Sequence, residues 1–344
     1  MLSSIRRVTY PPRPPFDHLL SIADLDATGV DELIEHALEL KARPAAVASL
    51  PLAGTSVALV FDRPSLRTRV SFEIGIQRLG GLTTTLAGRD IGLGSREPIA
   101  DIAATISRYV DAIVMRVVSH DTLSQLAAAA SVPVLNALTE REHPCQALAD
   151  LLTLREHLGA LPGRQLVFVG DGNNVCHSLL LAGAAVGLHV RVATPPGYAP
   201  DPEIVAQATA TARRSGARIE LSHDPWAAVD GADAVYTDVW ASMGDEAEAG
   251  LRRRAFAGFQ VSRKLLAGAP EALVMHCLPA HRGEEVEAAV IDGPRSVVFD
   301  QAENRLHVQQ AVMLRLLRHP ATRLAGRSQG RPERPTIARV AALP

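Results

Sequence analysis

A chain of 344 residues, 47% hydrophobic and 21% charged, can bury a large core without disulfide staples and suits two domains of ordinary size. Its formal charge of −2 excludes a general basic surface for nucleic acid. No apolar run approaches the roughly 18 residues that a membrane span needs, and the N-terminal MLSSIRRVTYPPRPPFDHLL lacks the apolar centre of a signal peptide. Three cysteines, Cys145, Cys176 and Cys277, are odd in number and far apart, which fits a reducing compartment such as the cytoplasm better than a disulfide framework.

In chain order, short apolar runs alternate with helical patterns. Residues 31–41 read as a helix. The run 58–61 reads as a buried strand, followed by a polar turn, Ser65-Leu66-Arg67-Thr68-Arg69, and a helix that stops at Gly80-Gly81. Strand, polar loop and helix start make an anion-binding geometry, because the first helical N–H groups lack partners and the helix dipole favours negative charge. Ser65 suits the N-cap, and Arg67 and Arg69 add guanidinium forks matched to phosphate oxygens. The same residues would also serve a capped surface helix with two solvated arginines. A helix at 99–109 precedes candidate strands at 112–117 and 132–135, and the helix 145–157 is long enough to bridge two lobes. Further strands are expected at 166–169, 190–193, 218–221, 234–237, 273–276 and 297–299, with a helix at 178–186 and a last one at about 306–318. Such alternation gives α/β units around parallel sheets, whose ligands sit beyond the carboxyl ends of the strands. The arginine-bearing stretch 319–344 reads as a flexible tail.

Four more polar clusters follow expected strands or open helices. In His143-Pro144-Cys145-Gln146, proline marks a helix start, and the histidine and glutamine suit a carbonyl oxygen; a structural histidine is the plainer reading. Gly170-Asp171-Gly172-Asn173-Asn174-Val175 is half a dinucleotide fingerprint, with valine where the third glycine belongs; its asparagines suit an amino-acid head group or simply a turn. Asp238 ends an apolar strand and precedes Ser242-Met243-Gly244, an acid for an ammonium followed by a hinged flap. His276-Cys277-Leu278-Pro279 again follows a strand, and Cys277 is open to several roles. The His–Cys neighbours lack zinc spacing, so no metal is expected. Arg116 and Arg305 stand alone, each suited to a ligand or a salt bridge. Together the clusters suit transfer of a group from a phosphate-activated donor to an amine.

These motifs resemble the aspartate/ornithine carbamoyltransferase family, nearest its ornithine-type members, from about His18 to Arg318. Ser65 to Arg69 is similar to the family's S-T-R-T-R loop, His143 to Gln146 to H-P-x-Q, and DVWASMG and HCLP to the ornithine-type signatures. The resemblance implies two doubly wound parallel-sheet lobes joined by long helices: residues 1–142, completed by the helix 305–318, for carbamoyl phosphate, and 143–304 for ornithine. It implies that Ser65, Leu66, Arg67, Thr68, Arg116, His143, Gln146, Cys277, Leu278 and Arg305 hold carbamoyl phosphate. Arg67, Arg116, His143 and Cys277 would be catalytic, and Asn174, Asp238, Ser242 and Met243 would hold L-ornithine, giving L-citrulline and phosphate in arginine metabolism. It further implies a homotrimer, no cofactor, and no nucleic-acid or membrane partner. A different amine, such as putrescine or an N-acylated ornithine, and a non-catalytic ligand-binding role are the competing expectations. Two positions depart from the family pattern: Leu66 replaces its usual threonine, and Gly92 its usual glutamine, for which Arg96 is a candidate substitute.

Overall fold

The β-branched and aliphatic runs form inner strands that are buried on both faces, the environment of a parallel sheet covered by helices. The computed structural model describes residues 18–42, 50–93, 96–241 and 248–317. In the first sheet, β1 (Ser56–Phe61), β2 (Leu82–Ala87), β3 (Ala112–Arg116) and β4 (Val134–Leu138) lie in the order β2-β1-β3-β4. The second sheet holds β5 (Gln165–Val169), β6 (His189–Ala193), β7 (Ile219–Ser222), β8 (Ala234–Thr237) and β9 (Leu273–His276), in the order β7-β6-β5-β8-β9. Every pairing is parallel, so each sheet presents all its carboxyl ends on one side.

In each sheet the strand order reverses once, between β1 and β3 and between β5 and β8. A crevice opens at such a switch point. The loop after β1 and the end of β3 flank the first crevice. The loops after β5 and β8 flank the second. The polar clusters after those strands are therefore brought together by topology, although they lie far apart in sequence.

Two helices lock the lobes. The helix Pro144–Leu158 is buried through its first eleven residues and packs on the helices Asn174–Ala185 and Val298–Leu317. The helix Val298–Leu317 returns to the first lobe and packs against Ala27–Ala42 and Leu66–Arg78 while still touching β9. Its spacing is helical: Val298, Gln301, Asn304, Arg305 and Val308 are buried and Phe299 is exposed. On Ala27–Ala42 the buried stripe is Val30, Leu33, Ile34, Ala37 and Leu40; full burial of each leucine or isoleucine stabilises by about 1.5–3 kcal/mol.

Three expectations change. Residues 297–299 are not a strand; Val298 and Phe299 open the last helix, eight residues earlier than the sequence suggested. Arg305 thus lies inside that helix rather than ahead of it. The edge strand β2, LTTTLA, was not expected, because its threonines and its half-exposed pattern carry little apolar signal. The flap residues Ser242, Met243 and Gly244, the N-terminal segment and the arginine-bearing tail lie outside the described residues. Among the described residues, no helix is long and apolar enough to cross a membrane.

Candidate active site

The helix Leu66–Arg78 begins directly after the turn that leaves β1. Ser65 occupies its N-cap position, but its side chain makes no capping hydrogen bond, contrary to expectation. The first helical N–H groups are therefore left without a side-chain cap from Ser65. Leu66 is 73% exposed. Thr68, one turn in, is fully buried, and two guanidinium groups converge on it. Arg305 Nη2 donates to its Oγ1 at 2.5 Å and Arg116 Nη1 at 3.3 Å. Arg116 ends β3, where the pairing with β4 skips a residue and re-aims the side chain.

Both arginines are buried, and so many positive charges in one place are costly. Burial first, then the neighbouring Arg305, pulls Arg116 down to about 10. Burial likewise lowers Arg305 and the half-buried Arg67, which feels Cys277 and Asp238 across the crevice. A buried cluster of guanidinium groups around one hydroxyl has the charge and geometry to suit a multiply charged anion.

With Pro144 in the first turn, His143 occupies the N-cap position of the helix Pro144–Leu158 without a side-chain capping bond. The residue is buried; burial, then Arg305, Arg116 and Arg67, holds its ring well below the ordinary histidine range. His143 is therefore a neutral imidazole, and one ring nitrogen is a hydrogen-bond donor. One turn on, Gln146 is buried, and its Nε2 donates to Asp150 Oδ1 at 2.9 Å.

The second crevice is organised by Asp238. Its Oδ2 accepts from Asn173 Nδ2 at 2.8 Å, and its Oδ1 accepts from Cys277 Sγ at 3.0 Å and from the Val239 N–H at 2.8 Å. Burial and Asp238 push the Cys277 thiol well above its ordinary range, so it is a neutral donor rather than a thiolate. Asn173 is the N-cap of the helix Asn174–Ala185: its Oδ1 accepts from Val175 and Cys176. Asn174 Nδ2 instead crosses to the first lobe and donates to the Thr139 carbonyl at 2.5 Å. Leu278 adopts the left-handed region, φ 59, and its N–H donates to His276 Nδ1 at 2.8 Å. Side-chain donor atoms of Asp238, His276 and Cys277 lie within 4.8 Å of one another, but each is committed to a hydrogen bond inside the protein.

Topology thus brings Ser65, Arg67, Thr68, Arg116, His143, Gln146 and Arg305 to one crevice and Asn174, Asp238, Cys277 and Leu278 to the facing one. Sequence reading named both asparagines of the turn but carried only Asn174 into the site; it is the Asn173 amide that orients Asp238, while Asp171 pairs with Arg252 at 2.8 Å. Sequence reading overlooked Asp150 and Gln301, whose amide Nε2 meets Asp150 Oδ1 at 2.8 Å. The strand-end position of Asp171 was a usable signal; Asp150 and Gln301 gave none. At Gly92, φ is 60, and a Cβ would stand 2.5 Å from Arg96 Cβ, so a glutamine does not fit this loop as it stands. Arg96 itself is exposed.

Residues 17–156 match the model of the carbamoyl-phosphate-binding domain of aspartate/ornithine carbamoyltransferases, and residues 162–316 match that of the Asp/Orn-binding domain. The chain belongs to the aspartate/ornithine carbamoyltransferase family. The first match spans β1 to β4 and the second β5 to β9, one crevice in each. Among family members, the ornithine carbamoyltransferase of Symbiobacterium thermophilum is 54% identical over 296 residues, 86% of this chain and 96% of its own. That of Methanothermobacter thermautotrophicus is 54% identical over 297 residues, 86% and 97% of the two chains. The solved ornithine carbamoyltransferase of Pyrococcus furiosus superposes with a TM-score of 0.84 at 49% identity, covering 87% of this chain and 96% of that one.

Proposed function

We propose that this chain is an ornithine carbamoyltransferase, moving the carbamoyl group of carbamoyl phosphate to the side-chain amine of L-ornithine. The observation that carries the reading is the pair Arg116 and Arg305 around Thr68, with Arg67 beside them, facing the Asp238–Cys277 pair across one cleft. Ser65, the helix-start N–H groups including that of Leu66, and the three guanidiniums hold the phosphate. Neutral His143 and Arg116 donate to the carbamoyl oxygen, where negative charge develops. Gln146 and the Leu278 carbonyl receive the carbamoyl N–H groups. Asp238 takes the α-ammonium of ornithine, Asn174 offers its free carbonyl to the same end, and Cys277 lines the cleft beside the reacting amine. Ser242 and Met243 complete the amino-acid side.

The neutral amine attacks the carbonyl carbon, the C–N bond forms, and the C–O bond to phosphate breaks. The amine proton leaves with the phosphate, so no covalent enzyme intermediate is required. Holding both reactants in line supplies much of the rate. The reading includes a homotrimer, which would cover exposed apolar side chains such as Leu66, Leu82 and Tyr109, and a cytoplasmic setting, which suits three free cysteines. Light scattering at three times 36.6 kDa checks the trimer. The activity test is incubation with carbamoyl phosphate and a panel of amines, following phosphate and ureido product. Selective citrulline formation is expected. Turnover only with putrescine or an N-acylated ornithine, or tight binding with no turnover, would overturn the reading.

A further inference from the structure

Asp150 lies on the helix Pro144–Leu158, one turn beyond Gln146, and is fully buried. Its Oδ1 accepts two amide hydrogens, from Gln146 Nε2 at 2.9 Å and from Gln301 Nε2 at 2.8 Å. Which end of Gln301 points at Asp150 is fixed from outside: Gln301 Oε1 accepts the backbone N–H of His276 at 2.9 Å, and a backbone N–H cannot be reversed. The chain of donors therefore runs one way, from β9 through the last helix to the carboxylate, and Asp150 presents only an acceptor to Gln146. The amide of Gln146 has its NH2 end consumed in this way. Its Oε1 is buried and has no hydrogen-bond partner among the described residues. A buried, unpaired carbonyl is costly and needs an N–H donor. Phosphate oxygens at pH 7 are acceptors and cannot supply one.

We propose that Asp150 is a positioning residue that fixes the polarity of the Gln146 amide, turning its carbonyl toward the acyl group so that the site takes a carbamoyl and disfavours a methyl acyl group. This rests on the reading that Gln146 borders the carbamoyl phosphate site. If the amide were free to reverse, its NH2 end would meet the carbamoyl NH2, and discrimination between NH2 and CH3 would fall. Sites built to hydrogen-bond a ligand reject analogues that lack the group, because the site's own polar atom is left unpaired. Asp150 acts at one remove, through Gln146, and touches no reactant.

The test uses two stable phosphonates of the same shape, phosphonoacetamide (acyl NH2) and acetonylphosphonate (acyl CH3), titrated calorimetrically into the full-length protein. Wild type binds the amide about tenfold or more tighter than the ketone. Asp150→Leu removes the acceptor and brings that ratio to within about twofold, as does Gln146→Leu. Asp150→Asn keeps an acceptor oxygen facing both glutamines and retains the ratio, a rescue that a charge effect or simple packing damage would not produce. Should Asp150→Leu fail to fold, Asp150→Ser, whose hydroxyl is too short to reach Gln146, takes its place with the same expected loss. An unchanged ratio in a folded Leu or Ser variant, or equal weakening of both analogues, overturns the proposal. Wild type that binds neither phosphonate overturns the carbamoyl phosphate reading itself, and this inference with it.

Discussion

Asp238→Asn separates what the carboxylate does for the fold from what it does for the substrate. In the structure Oδ1 receives the Val239 N–H and the Cys277 thiol, and Oδ2 receives Asn173 Nδ2. The backbone donor keeps the new oxygen on the Oδ1 side, so the new NH2 faces the NH2 of Asn173. Asn173 cannot turn over, because its carbonyl caps the helix Asn174–Ala185. One hydrogen bond to a charged group is lost and two NH2 groups are set against each other, about 2–3 kcal/mol of stability. The ornithine ammonium also loses its counter-charge. Together kcat/KM for ornithine should fall about 100- to 1,000-fold, roughly 3–4 kcal/mol, while the affinity for carbamoyl phosphate stays within about threefold. Adding Asn173→Asp restores a donor–acceptor pair and keeps the cap, so urea unfolding should recover most of the lost stability. Steady-state kinetics on the double variant then decides the matter. Ornithine turnover that recovers along with stability would refute a direct role for the Asp238 charge.

Thr68→Val keeps the shape but removes the hydroxyl shared by Arg116 and Arg305; KM for carbamoyl phosphate should rise about 10- to 100-fold with little change in KM for ornithine, measured by varying each substrate in turn. Burial lifts Asp150 from an ordinary 3.8 to about 6. The folded state therefore binds this proton more tightly than the unfolded chain, and the stability it contributes is full below about pH 4 and lost as pH rises through 6, about 3 kcal/mol in all. Relative to Asp150→Asn, wild type should thus weaken progressively from pH 4 to pH 7 in urea titrations; a difference that does not vary with pH would refute the buried carboxyl. Gly92→Gln should bring no gain in carbamoyl phosphate affinity and should lower stability by at least roughly 1–2 kcal/mol, the cost of a side chain in the left-handed region, read from the unfolding midpoint.

The site was legible where topology does the gathering. Ser65 to Thr68, Arg116, Asp238 and Cys277 all follow apolar runs, and parallel strands leave their ends on one side whatever the sequence distance between them. Hydrogen-bond direction was not legible. Asn173 and Asn174 are adjacent and chemically identical, yet one orients Asp238 and the other ties the second lobe to Thr139; only helix phase separates them. Asp150 and Gln301 sit 151 positions apart and meet through helix packing, which periodicity places on the correct face but cannot pair. Val297, Val298 and Phe299 looked like a strand because three bulky apolar residues carry the same signal in either state. The exposed Phe299 and the buried Gln301, Asn304 and Arg305 show that tertiary packing settled it as a helix.

The helix Val298–Leu317 follows both sheets in sequence, yet it supplies Gln301 to the second lobe and Arg305 to the anion cluster of the first. During synthesis, then, both sheets emerge before Arg305 does, and Thr68 and Arg116 lack their third partner until that helix follows. The growing chain lacks the full arginine cluster until this helix has left the ribosome and docked. Binding of an anion at Thr68 would therefore report docking of this helix rather than folding of either lobe.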